Sequence, residues 1–179
     1  MDSIIDLIRI QIQRSPTSHG PPFLAPHEVL QLSEIAIAED IIGCKLPNLL
    51  QQLYLQIGNG GFGPGYGLLP LLPSSELKNG RFVVSLYSFF RQAKKWNATV
   101  IPFSCWGCGI LSCLDLRDNT DPLVYRFEPN MPDELTSNYL NGNTYVGNGL
   151  IPEEVPLSEW LGMWLAGHAD IMFSKFNTI

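Results

Sequence analysis

Apolar residues along this chain keep helical spacing in the first half and strand-like spacing in the second. In residues 2–13, Ile4, Ile5, Ile8 and Ile12 share one helical face. Ser15 to Pro26 holds four prolines and reads as an irregular linker. A second helix is predicted over 34–42, with Ser33 as its N-cap. Ile35, Ile37, Ala38, Ile41 and Ile42 form its apolar side, and Gly43 ends it. A third begins at Pro47, which suits a first helical position because its missing N–H is unneeded there. Leu49, Leu50, Leu53, Tyr54 and Ile57 line its face, and Gly58 is expected as a left-handed stop. A short strand is predicted over Gly67–Leu72. Residues 82–96 read as a helix with an aromatic face of Phe82, Leu86, Phe89, Phe90 and Ala93.

Strands are predicted over Thr99–Ser104, Ile110–Leu116 and Leu123–Phe127, with turns near Trp106–Gly107 and Asp118–Asp121, as an antiparallel meander. Residues 129–156 are rich in Asn, Gly and Pro and read as irregular, with Tyr139, Tyr145 and Val146 as anchors. Ser158 is expected to cap a final helix that turns Trp160, Leu161, Trp164 and Leu165 inward and closes at Gly167. The domain division read from this pattern is an N-terminal helix and linker, 1–25, and a single domain, 26–179. Leu46, Leu53 and Trp160 are expected to be buried.

Between the third helix and the first strand lies the most unusual stretch. Six glycines from Gly58 to Gly67 surround Pro64 and the aromatics Phe62 and Tyr66. Glycines allow positive φ and proline stiffens the path, so a shaped corner is expected. Gly58-Asn59-Gly60-Gly61-Phe62-Gly63 matches G-x-G-x-x-G, but a dinucleotide fingerprint follows a strand and opens a helix. This one follows a helix and runs into Pro64. The corner is then either structural or a contact loop that displays Phe62 and Tyr66 together.

Charge adds a direction. The net charge is −6, and no basic stripe suggests nucleic-acid binding. Residues 1–95 hold seven acids and eight bases, whereas 96–179 hold ten acids and three bases. Such a half either keeps the protein soluble or attracts a basic partner. Met1-Asp2-Ser3 lacks the positive start and apolar run of a signal peptide. The uncharged run Trp96–Leu114 contains Pro102, Gly107 and Gly109 and reads as two strands, not a membrane span. Four cysteines without a secretory signal suggest reduced thiols in the cytoplasm.

Cys105-Trp106-Gly107-Cys108, with Cys113 nearby, is the sharpest chemical candidate. A thioredoxin-type pair sits at a helix N-terminus, which lowers the thiol pKa. Here the second cysteine is expected to enter a strand. Zinc would need a fourth ligand that no second C-x-x-C or H-x-x-x-H supplies. Inert thiols, a redox pair and a metal site are the three readings. His19, His27 and His168 fall in no catalytic motif, and the acid pairs Asp133/Glu134 and Glu153/Glu154 read as loop residues. Glu39 lies in the last turn of its helix, where the dipole disfavours an acid. It is either an exposed glutamate or one held by a specific partner, such as a backbone N–H of the glycine corner.

Glu39 with Ile42-Gly43, Leu46-Pro47, Leu53-Tyr54 and Asn59-Gly60-Gly61, in that order, resemble the SUKH superfamily of the SMI/KNR type. Phe62-Gly63-Pro64-Gly65-Tyr66-Gly67 is similar to the extended form in bacterial members. Trp106-Gly107-Cys108-Gly109 followed by Asp115 resembles the family's central hairpin, and Leu157–Leu161 with Trp164 its closing helix. The resemblance spans residues 33–167. It implies an α+β fold with a central, mainly antiparallel sheet flanked by helices, and no catalytic residues, cofactor or metal. It implies a protein-binding role: a bacterial immunity protein that occludes a toxin, or an intracellular regulatory adaptor. A basic toxin domain such as a nuclease is the partner that an acidic half would suit. The residues it offers as motif or contact positions are Glu39, Asn59, Gly60, Gly61, Phe62, Pro64, Tyr66, Trp106 and Asp115.

Overall fold

The computed structural model describes residues 3–19, 26–74, 77, 80–92, 96–129 and 150–169. In chain order it has α1 (Ile4–Arg14), α2 (Leu32–Ile42), α3 (Asn48–Gln56), α4 (Val83–Gln92), β1 (Val100–Gly107), β2 (Ile110–Asp115), β3 (Leu123–Phe127), β4 (Leu150–Pro156) and α5 (Leu157–Leu165). The strands form one antiparallel sheet in the order β1-β2-β3-β4, so the fold is α+β, as the resemblance implied.

The β1–β2 hairpin closes through Cys108 (φ 51°) and Gly109 (φ 84°), with Gly107 paired to Ile110. Positive φ at both central residues is the type I′ geometry that matches strand twist. The turn therefore lies two residues beyond the predicted place, and Cys108 sits at its tip rather than in β2. Strand β4 falls in the stretch read as irregular; residues 130–149 of that stretch, including Tyr139, Tyr145 and Val146, lie outside the described residues. Pro152 and Pro156 hid the strand. It lies at the sheet edge, where a missing N–H need cost no ladder bond. Conversely, the strand expected over Gly67–Leu72 reduces to a single bridge between Leu68 and Ser104.

Helix ends differ from their predicted caps. Gln31, not Ser33, precedes α2, and its N–H donates to the Glu34 carboxylate (2.8 Å). Gly43 does end α2 in the left-handed conformation (φ 78°). Pro47 precedes α3, with its carbonyl accepting from Gln51 (2.9 Å). Gly58 has no positive φ; a side chain there would strike the His27 carbonyl at 2.5 Å, so close approach is what requires glycine. Ser158 lies inside α5, and its N–H donates to Asp121 (3.0 Å).

The core is continuous. Leu46, Leu53 and Trp160 are fully enclosed, as expected, and Ile5 and Ile8 of α1 pack into the same cluster. Trp160 lies 5.0 Å from Phe103, joining α5 to β1. Phe90 stacks on Trp96 at 4.4 Å, and both meet Phe127, joining α4 to β3. In α4 the buried positions are Val83, Val84 and Tyr87; Phe89 faces solvent, and Ala93 lies outside the described residues. Ile37 and Ile41 of α2, predicted inward, are also exposed.

Candidate functional site

The glycine corner is built from main-chain hydrogen bonds. Asn59, 1% exposed, receives the Leu71 N–H on Oδ1 (2.7 Å) and donates Nδ2 to the Leu72 carbonyl (2.9 Å). Gly61 donates to the Leu68 carbonyl (2.9 Å), and Leu68 donates back to Phe62 (2.7 Å). Gly60 takes φ 81° within this loop, and a Cβ there would lie 2.6 Å from the Leu68 carbonyl. Phe62 and Pro64 are buried, while Tyr66 is 50% exposed. The two aromatics are therefore not displayed together.

Residues 15–19 strap this corner. Gly63 donates to the Pro16 carbonyl (2.7 Å) and His19 to the Gly65 carbonyl (2.7 Å). Gly65 donates to Ser18 Oγ (3.1 Å). The N–H groups that would cradle a phosphate are thus directed at protein oxygens.

Glu39 is buried, and its partner is not in the corner. Gly43 reverses the chain so that Leu46 N–H reaches Glu39 Oε1 (2.9 Å). Gln51 Nε2 donates to the same oxygen (3.1 Å) and also to the Leu46 carbonyl (2.9 Å). Lys45 Nζ bonds Oε2 at 2.6 Å from a side chain that is 74% exposed. The hydrogen bond to Glu39 raises the Lys45 pKa.

Asp115 repeats this arrangement at the end of β2. It is buried and accepts from Thr99 Oγ1 (2.9 Å), Arg117 N–H (3.1 Å) and Arg117 Nε (2.7 Å). The Arg117 side chain is half exposed. Beside it, burial first and the Asp115 charge second raise the Tyr125 phenol. Each of these carboxylates lines a surface cleft. One is formed by Glu39, Asp40, Gly43, Cys44 and Lys45, the other by Asp115, Arg117, Asp118, Leu123 and Tyr125.

A third polar network was not legible. Ser104, Ser112 and Arg126 oppose one another across β1, β2 and β3, so they share a face. Trp106, itself buried, donates Nε1 to Ser112 Oγ (2.8 Å). Arg126 Nε meets Glu153 Oε1 at 3.2 Å with both side chains 6% exposed, and Trp160 Nε1 donates to Glu153 Oε2 (2.9 Å). Glu153 and Glu154 lie on β4, not in a loop, and Glu154 (φ 58°) marks an irregularity that separates the two side chains.

The four cysteines are free thiols. Cys108 is exposed, Cys105 half-buried and Cys113 buried, where burial pushes its thiol pKa up. Among the described residues, no three His, Cys, Asp or Glu side chains group as metal ligands. None of the described helices is long and apolar enough to cross a membrane.

The family model of the SMI1/KNR4 family (SUKH-1) matches residues 30–146. That span includes all nine motif positions and both clefts, and it begins after α1 and the strap. No curated protein and no solved structure matches the chain closely enough to be compared with it.

Proposed function

Because the chain belongs to the SMI1/KNR4 family (SUKH-1), we propose that it is a non-catalytic binding protein, an immunity protein that neutralises a toxin by covering its active site or substrate groove. The observation that carries this reading is how the buried carboxylates are used. Glu39, Asp115 and Glu153 each point inward and hold donors of the fold itself. A general acid or base must reach a substrate proton, and the oxygens of these three are taken up by donors of the fold. What the molecule offers to the outside is a rigid surface. Its net charge of −6 would speed encounter with a basic toxin domain. Asp115 and Glu153, two of the acids in residues 96–179, are held inside the fold and add to that charge only at long range.

Co-expression tests the reading. The protein should restore growth to cells producing a toxin domain encoded beside its gene and should co-purify with it as a stoichiometric complex. Failure to rescue or bind any such domain, or any of a panel of basic nuclease toxin domains, would remove this function.

A further inference from the structure

Helix α2 is apolar on both sides. Ile35, Ala38 and Ile42 face the core. Leu32, Ile37 and Ile41 are 72%, 53% and 47% exposed. Ile37 and Ile41 lie one turn apart and so form an aliphatic pair on the solvent side of α2, the kind of neighbouring apolar exposure that marks an interaction surface.

The charges on this helix indicate what covers it. α2 contains Glu34, Glu39 and Asp40 and no base. Both Glu39 and Asp40 lie in the last turn, where the helix macrodipole is itself negative. At that end the cleft of Glu39, Asp40, Gly43, Cys44 and Lys45 opens to solvent. Among the described residues its cation is Lys45, whose side chain is 74% exposed; so exposed a lysine can give way to a cation of the partner. A second copy of α2 would bring another acidic, base-free helix, and like charges across an interface are unfavourable.

We propose that the outer face of α2, with the cleft at its C-terminal end, is the docking surface for the protein partner. The partner segment is amphipathic, with aliphatic side chains to cover Ile37 and Ile41 and an arginine or lysine beside Asp40. This rests on the immunity reading and names the surface that serves it.

The test measures binding by titration calorimetry, using the toxin domain that the wild-type protein neutralises. Ile37→Ser combined with Ile41→Ser, and separately Asp40→Arg, should each weaken the complex about tenfold or more. Because these side chains are exposed, neither variant should lose urea midpoint, and Asp40→Arg should gain slightly at the helix C-terminus, which excludes misfolding as the cause. The Asp40→Arg variant should also lose part of the salt dependence of binding. Variants that bind and neutralise like wild type would overturn this surface and leave the immunity reading standing. A wild-type dimer that the Ile37/Ile41 variant dissolves would assign the face to a second copy and overturn the proposal. A wild-type protein that binds no toxin domain at all would remove both the reading and the surface that rests on it.

Discussion

Replacing Glu39 separates two roles that its contacts combine. Glu39→Ala removes the acceptor of Leu46 N–H, a donor enclosed next to a side chain that is 1% exposed. A buried donor left without a partner costs about 1–3 kcal/mol. Removing an acid from the last turn returns about 0.3–1 kcal/mol of dipole repulsion, and the propensity change from Glu to Ala is small. The net loss should be about 1–2 kcal/mol, a fall of roughly 0.5–1 M in urea midpoint for a slope near 2 kcal/mol/M. Glu39→Gln keeps an oxygen for Leu46 N–H and should lose less than half as much. Lys45→Ala, which removes only the exposed cation, should leave the midpoint where it was. Urea denaturation followed by tryptophan fluorescence reads all three. If Gln proves as damaging as Ala, or Lys45→Ala falls with them, then charge pairing, not the main-chain latch, is what the fold needs from this residue.

Three other measurements follow from the same contacts. Glu153→Gln would remove the charge that Arg126 meets inside the fold and should cost more than about 1 kcal/mol in urea; a smaller loss would mean that this pair adds no net stability. The Tyr54 phenol is fully buried, and burial raises its pKa above the ordinary 10.0. The unfolded chain ionises first, so stability should be flat below about pH 10 and fall as pH rises beyond it. Tyr54→Phe should make that fall shallower, and an unchanged slope would refute the assignment. Titration with a thiol reagent should modify Cys108 at once, whereas the buried Cys113, its pKa raised, should react only on unfolding; equal rates would contradict its enclosure.

Much of this architecture could be read from spacing. Leu50, Leu53 and Tyr54 share a face that nothing else in their helix competes with, and the β1–β2 hairpin is announced by Gly107 and Gly109. The readings that failed did so for identifiable reasons. In α2 the isoleucines at 37 and 41 are as apolar as those at 35 and 42, so periodicity could not say which side faces inward. Strand β4 carries two prolines, which argue against a central strand but not against an edge. Glu39 was legible as an anomaly, a carboxylate in the wrong turn of a helix. Its partner was not, because the answer depends on Gly43 folding the chain back within seven residues. The Arg126–Glu153 pair spans 27 positions, and neither residue stands in a pattern that marks it.

The two cleft-lining carboxylates share a design that bears on how such a protein can be specific. Glu39 fixes the main chain of the α2–α3 loop through Leu46, and Asp115 fixes the chain leaving β2 through Arg117. Each also carries a cation at the rim, Lys45 or Arg117, from that same loop. The carboxylate is enclosed and the cation is not. Changing the enclosed group disturbs the backbone, whereas changing the rim cation leaves the main-chain hydrogen bonds to the buried carboxylate in place. Of the nine motif positions, all but Gly61 and Tyr66 are buried, on the enclosed side of this division. They specify a rigid frame, and a frame alone cannot tell one partner from another. On the docking surface proposed above, discrimination falls to the outward residues Ile37, Asp40 and Ile41, which belong to no motif. These can vary without cost to the fold, because nothing inside it depends on them.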